Sequence, residues 1–352
     1  MGYTKRVFGV LPDGRQVDKY TLVNRSGLEA SFLDLGAVWN EMKVPDRNGE
    51  KRDIILGFDR PEPYLKDNAF FGAIVGRNAN RIGKAAFQIE DKRYALEAND
   101  HGNNLHSGTD FYRNRIWDVK AEETELGSSL LFSLKSPDGD QGYPGNAEIE
   151  VRYTLTDDNQ IVITYHMICD KDTVANFTNH CYFNLAGQGS GPAIKQQVWL
   201  HADSFTPSDE ESIPTGEILS VENTPMDFTV FKSIGQEIDC DYIQLKQAGG
   251  YDHNWALNDY NGEIRLVGKA KDGDSGRLLE VYTDLPGIQF YTGNYIQDGT
   301  PGKEGAVYAR REGYCFETQY FPNAVNEKHF QSPVLKAGAE YQTTTIYRFT
   351  TE

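Results

Sequence analysis

No run in this sequence approaches the roughly 18 apolar residues of a membrane-spanning helix, so a helical membrane anchor is not expected. The start, Met1-Gly2-Tyr3-Thr4-Lys5-Arg6, has no apolar signal core, and the expected compartment is the cytoplasm. Cysteine is scarce. The four present (Cys169, Cys181, Cys240, Cys315) have no C-x-x-C spacing, which argues against a zinc knuckle or a small disulfide scaffold and predicts free thiols. Positive charge is the minority sign: 35 Lys and Arg stand against 52 Asp and Glu, a net charge of −17. That balance repels phosphate backbones and anionic lipid, so neither nucleic acid nor a membrane is an expected partner. The phosphate cradle GxxxxGK[ST], the zinc motif HExxH and the serine elbow GxSxG are all missing. Gly187-Gln188-Gly189-Ser190-Gly191 lacks the GxGxxG spacing and reads as a loop. No cofactor and no metal are expected.

Helical patterning is also lacking, since no window of about twelve residues shows an apolar stripe with caps at both ends. Alternation is what the chain has instead, between turns set by 34 Gly and 14 Pro. Ala147, Ile149, Val151, Tyr153 and Leu155 share one face, and after Asp157-Asp158-Asn159-Gln160 the period resumes at Ile161, Ile163, Tyr165 and Met167. This predicts a hairpin. Phe87 and Ile89, followed by Tyr94 and Leu96, predict a second, and Tyr341 to Phe349 a last strand. The fold class is all-β, a large series of antiparallel strands that closes as a sandwich or barrel. With no linker or composition break, residues 1–352 are expected to form one domain.

Polar residues in apolar company mark the candidate chemistry. His106 lies in Asn103-Asn104-Leu105-His106-Ser107-Gly108, a loop that a turn could hold against a pocket. His180 alternates with Tyr182 in Thr178 to Leu185 and so shares its strand face; it is either a core histidine satisfied by a carbonyl or a functional one. Asp252 sits among aromatics in Tyr251-Asp252-His253-Asn254-Trp255. Glu317 is embedded in the uncharged run Tyr314 to Gln319, where a carboxylate needs either an ion-pair partner or a catalytic reason. Asn80-Arg81 supplies a fork of donors, free for a ligand or closed in a salt bridge. Gln289 adjoins Phe290 and Tyr291. Amides, carboxylates and a guanidinium set among aromatic rings suit a sugar, whose hydroxyls need bidentate partners and whose C–H faces pack on rings.

Taken in order, Leu35-Gly36-Ala37, Gly57-Phe58-Asp59, Gly76 to Gly83, Asn104 to Gly108, Asp140 to Gly145, Asn179 to Leu185, Tyr251 to Asn254, Pro286 to Gln289 and Phe316 to Gln319 resemble the aldose 1-epimerase family over nearly the whole chain. The resemblance implies a supersandwich and a cofactor-free exchange of the α and β anomers of free hexoses. It implies Glu317 as general base at the anomeric hydroxyl, His180 as general acid at the ring oxygen and His106 as their assistant. Asn80, Arg81, Tyr182, Asp252 and Gln289 would hold the sugar. Ser107 and Cys181 depart from the family's usual Gly and Ser or Thr, a difference expected to bear on substrate preference. A bell-shaped pH profile is expected, because one catalytic group must be ionised and the other protonated. The chain is expected to be a monomer or weak homodimer. The competing readings are a non-catalytic carbohydrate-binding protein and a hexose-6-phosphate 1-epimerase.

Overall fold

The computed structural model describes residues 2–352. Its strands pair antiparallel throughout the named ladders, with 20 of the 30 strands in three sheets. The largest has nine strands, in the order Asp118–Thr124, Gly127–Ser136, Ala147–Thr156, Gln160–Cys169, Glu340–Thr351, Arg277–Thr283, Arg265–Lys271, Gln197–Leu200 and Lys232–Ser233. A six-stranded sheet runs Tyr182–Phe183, Tyr314–Gln319, Gly287–Tyr291, Asp252–Ala256, Ser204–Thr206 and Leu219–Ser220. The N-terminal residues make a five-stranded meander from Gly2–Val10 to Lys51–Asp53. Among the described residues one short α-helix is present, Ile243–Ala248, and no helix is long and apolar enough to cross a membrane. The four cysteines are unpaired.

Both hairpins read from alternation form, as Ala147–Thr156 with Gln160–Cys169 and as Ala86–Ile89 with Lys92–Ala95. The C-terminal strand, Glu340–Thr351, is central in the large sheet, bonded to Gln160–Cys169 on one side and Arg277–Thr283 on the other.

Period-two alternation in the six-stranded sheet decides where the site lies. On Tyr314–Gln319 the even residues face the nine-stranded sheet: the Thr318 hydroxyl bonds Thr345, and Tyr347 donates to the Phe316 carbonyl at 2.6 Å. Phe290 and Phe316 stack at 5.4 Å, with Trp255 against Phe290 at 5.9 Å. Burying each such ring stabilises the sandwich by roughly 1.5–3 kcal/mol. The odd residues, Cys315, Glu317 and Gln319, must then point to the opposite face. Across the ladder Glu317 is opposite Gln289, which is opposite Asn254; Cys315 is opposite Tyr182 and Tyr291, and Tyr291 is opposite Asp252. One face is therefore an aromatic core, and the other carries two adjacent rows of polar and aromatic side chains.

Candidate active site

Two short segments complete this polar face. Arg81–Ile82 pairs with Asn104–Leu105, which brings Asn80 and Arg81 beside His106. The Asn80 N–H donates to His106 Nδ1 at 3.1 Å, and the His106 N–H returns to the Asn80 carbonyl at 3.0 Å. His180 lies just before Tyr182–Phe183, its backbone N–H bonded to Ala73 and its carbonyl to the Gly72 N–H. A pocket of about 100 Å³ results, lined by Asn80, Arg81, His106, His180, Tyr182, Asp252 and Glu317, together with Asn68, Phe70, Leu105, Tyr291 and Tyr295.

Inside it, His180 Nε2 and Glu317 Oε1 are 3.8 Å apart, and both side chains are buried. Glu317 Oε2 has no partner within the protein. The imidazole of His180 stacks on Phe70 (5.8 Å between ring centroids, 24° between planes) and on Tyr182 (5.1 Å, 27°), and these contacts set the ring plane. Phe70 occupies the left-handed region at φ +58°, which costs a residue with a Cβ about 1–2 kcal/mol. Asp67 offsets that cost by accepting the N–H groups of Ala69 and Phe70 at 2.6 and 2.9 Å, while the Arg113 guanidinium lies 4.0 Å from the Phe70 ring centre. Arg81 donates Nε–H to Asp100 at 2.7 Å, and Gln289 donates its amide to Asp252 at 2.7 Å.

Burial dominates the electrostatics. It pushes the imidazole of His180 down to about 3, with nearby Arg113 adding to the fall, and raises the carboxyl of Glu317 well above its ordinary range, with Asp252 adding to the rise and Arg81 opposing it. The two groups titrate as a unit. At low pH both hold protons and no base exists; loss of one proton gives the singly protonated pair, mostly neutral imidazole with protonated carboxyl and, as its minor tautomer, the imidazolium–carboxylate working form, and loss of the second leaves no acid. Because the imidazolium is destabilised, the first loss falls below the ordinary imidazole value of about 6.5. Because the carboxylate is destabilised too, the second falls above the ordinary carboxyl value. The profile of kcat/KM is therefore expected to be bell-shaped with a wide plateau, its acid limb displaced below pH 6.5. Initial rates by polarimetry across the pH range check this; an acid limb centred at or above 6.5 would contradict it.

His106 is neutral for two reasons. Burial lowers its pKa well below the usual value, helped by His180 and the Arg81 and Arg113 cations, and its Nδ1 lone pair is taken by the Asn80 N–H. Its one proton must then sit on Nε2, which acts as a fixed donor. The same bond decides the metal question. His106, His180 and Glu317 bring ligand atoms within 4.8 Å of one another, but a protonated Nε2 offers a cation no lone pair, so the trio is poorly suited to a metal.

Eight residues were expected at the site, and the fold brings seven of them to one pocket. Gln289 is the eighth: it stands one step behind, donating one amide N–H to Asp252 and accepting from the Gln319 amide at 3.4 Å. Ser107 and Cys181 do not line the pocket. Ser107 accepts from the Asn78 N–H at 2.9 Å, and Cys181 is buried in the apolar core, so any bearing on substrate preference would act through the adjoining His106 and His180. The sequence reading missed Asn68, Phe70, Leu105, Tyr291 and Tyr295. Tyr291 had a signal, since it alternates with Gln289 on one strand; Asn68 and Phe70 sit in a turn without periodicity.

The family model of aldose 1-epimerase matches residues 18–348. The chain belongs to the aldose 1-epimerase family. It is 41% identical to the galactose mutarotase of Bos taurus over 347 residues, 98% of each chain. To the aldose 1-epimerase of Escherichia coli it is 36% identical, over 97% of each. Its fold matches the galactose 1-epimerase structure from Lactobacillus acidophilus with a TM-score of 0.85 and 26% identity, covering 99% of both chains. This family member is thus an enzyme of the isomerase class, and its relatives share its antiparallel β-sandwich.

Proposed function

We propose that this aldose 1-epimerase interconverts the α and β anomers of free hexoses such as galactose and glucose, with Glu317 and His180 as its proton-transfer pair. Glu317 takes the proton from the anomeric hydroxyl O1 while His180 Nε2–H protonates the ring oxygen O5. The C1–O5 bond breaks and leaves an open aldehyde. Rotation about C1–C2 presents the other carbonyl face. On reclosure the O5 hydroxyl attacks C1, returning its proton to His180 as Glu317 gives its own to O1. The two groups end as they began, and no redox step or net proton change is needed.

The observation that carries this reading is the 3.8 Å approach of His180 Nε2 to Glu317 Oε1 at the wall of a single pocket. Burial supports it further. The open-chain stage pairs neutral His180 with protonated Glu317, the two forms that desolvation favours, so the buried setting lowers the intermediate relative to the ion pair. His106 Nε2–H donates to the ring oxygen or an adjacent hydroxyl. Asn80, Arg81 and Asp252 hold the remaining hydroxyls, Tyr182 offers a ring to the sugar's C–H face, and Gln289 fixes the Asp252 carboxylate. Residues 1–352 act as one unit, a monomer or weak homodimer, in the cytoplasm, where four unpaired thiols would persist.

Polarimetry on freshly dissolved α-D-galactose tests the activity. Acceleration over the spontaneous rate is expected; tight binding without acceleration would make the protein a carbohydrate-binding module instead. Galactose is expected to turn over faster than glucose 6-phosphate, because Arg81 is the one Lys or Arg lining the pocket among the described residues and its Nε is already committed to Asp100. Replacing Arg81 with Lys keeps the charge and loses the fork. A charge-assisted hydrogen bond contributes roughly 1.5–3 kcal/mol, so KM is expected to rise at least about tenfold with little change in kcat. An unchanged KM in initial-rate measurements would remove Arg81 from sugar binding.

A further inference from the structure

We propose that Cys315 is a positioning residue for the epimerase reaction: its sulfur accepts the Nδ1–H of His180, parking one proton there so that Nε2 alone exchanges protons with the sugar. This rests on the assignment of His180 as the acid.

The strand Tyr314–Gln319 alternates, so Cys315 and Glu317 share its polar face two residues apart. Each meets a different edge of the same imidazole. Glu317 Oε1 faces Nε2 at 3.8 Å, and Cys315 Sγ lies 3.5 Å from Nδ1, within the reach of a sulfur hydrogen bond. The ring stacks on both Phe70 and Tyr182, contacts that favour this one orientation of its two nitrogens. Cys315 is fully buried and does not line the pocket; it acts on the sugar through His180 or not at all.

The reaction makes a specific demand on Nδ1. His180 alternates between imidazolium, with both nitrogens protonated, and neutral imidazole. The proton that moves must leave from Nε2, so Nδ1 must keep its own in both states and needs an acceptor throughout. Without one, the neutral ring could place its single proton on Nε2 and could no longer accept the O5 proton on reclosure. Apart from the backbone carbonyl of His180 itself, which also takes a hydrogen bond from the imidazole, the other groups near the ring do not serve Nδ1. Glu317 is at the opposite edge, His106 is 5.5 Å away between ring centroids, Tyr291 is 6.2 Å away, and Arg113 is a cation beyond Phe70. Burial keeps the thiol protonated, and a neutral sulfur is a weak acceptor. That weakness suits the role: a carboxylate at this place would strengthen the base and make the imidazolium a poorer acid.

The test combines selective ¹⁵N-histidine NMR with kinetics, and His180→Gln assigns the His180 resonances. Wild-type protein is expected to show His180 with its proton on Nδ1. Cys315→Ala is expected to shift the population towards Nε2–H and to lower kcat about two- to tenfold, the size of one neutral hydrogen bond, with KM unchanged. Cys315→Ser, whose hydroxyl also accepts, is expected to restore both tautomer and kcat. A wild-type His180 protonated on Nε2 would overturn the proposal even if Cys315→Ala failed to fold. So would Cys315→Ala with wild-type kcat, or Cys315→Ser as impaired as Cys315→Ala. None of these results would touch His180 as the acid, which stands or falls on the activity of His180→Gln.

Discussion

Glu317→Gln is expected to lower the kcat of catalysed mutarotation by about 10²- to 10⁴-fold, the range a positioned general base contributes, and to leave the fold intact. Gln matches Glu in shape, so the packing around the strand Tyr314–Gln319 is undisturbed. An amide cannot take the O1 proton at any accessible pH, so no ionisation can rescue the variant. Stability is expected to be unchanged or slightly higher, because the wild-type carboxyl is fully buried with Oε2 unpartnered and its charged form disfavoured. Polarimetry and thermal unfolding on the same preparation separate the two effects. Wild-type rates would remove Glu317 from the chemistry, and a collapsed Tm would mean that its role is structural.

His180→Gln is expected to produce a loss of similar size for the complementary reason. Without an imidazole, O5 must leave C1 as an alkoxide or take its proton from water, which is not held in place as a positioned acid is. Gln keeps more of the side-chain volume than Ala, which would open a larger void beside Phe70 and Tyr182. The paired variants make a sharper statement. Proton removal at O1 and proton delivery at O5 belong to one event, so either loss alone should disable it. The double variant Glu317→Gln with His180→Gln is therefore expected to be little slower than either single one. Multiplied losses in the double variant would mean that the two residues act in separate steps.

Much of this was legible in the sequence because strands carry a period of two. The alternation in Ala147–Thr156 and Gln160–Cys169 spelled out a hairpin, and the uncharged run around Glu317 marked a carboxylate whose environment needed explanation. Alternation also puts His180 on the face of Tyr182. Register was not legible. Nothing in the chain says that Gln289 falls opposite Glu317 and donates to Asp252 from behind the pocket wall. Nor does local sequence reveal that Phe70 must adopt φ +58° with Asp67 capping the turn. That conformation comes from the segment's packing against Arg113 and the imidazole rings, which are distant in the chain. The Asn80 bond that fixes the proton of His106 depends likewise on two segments meeting in a two-residue ladder.

A crystal structure of the Glu317→Gln variant with galactose bound tests the central claim most directly, since the variant should hold an intact pyranose. The anomeric oxygen is expected within about 3 Å of the residue 317 amide, and the ring oxygen within the same reach of His180 Nε2. A sugar that meets only one of those side chains, or that settles outside the pocket they share, would contradict the proton-transfer pair on which the account rests.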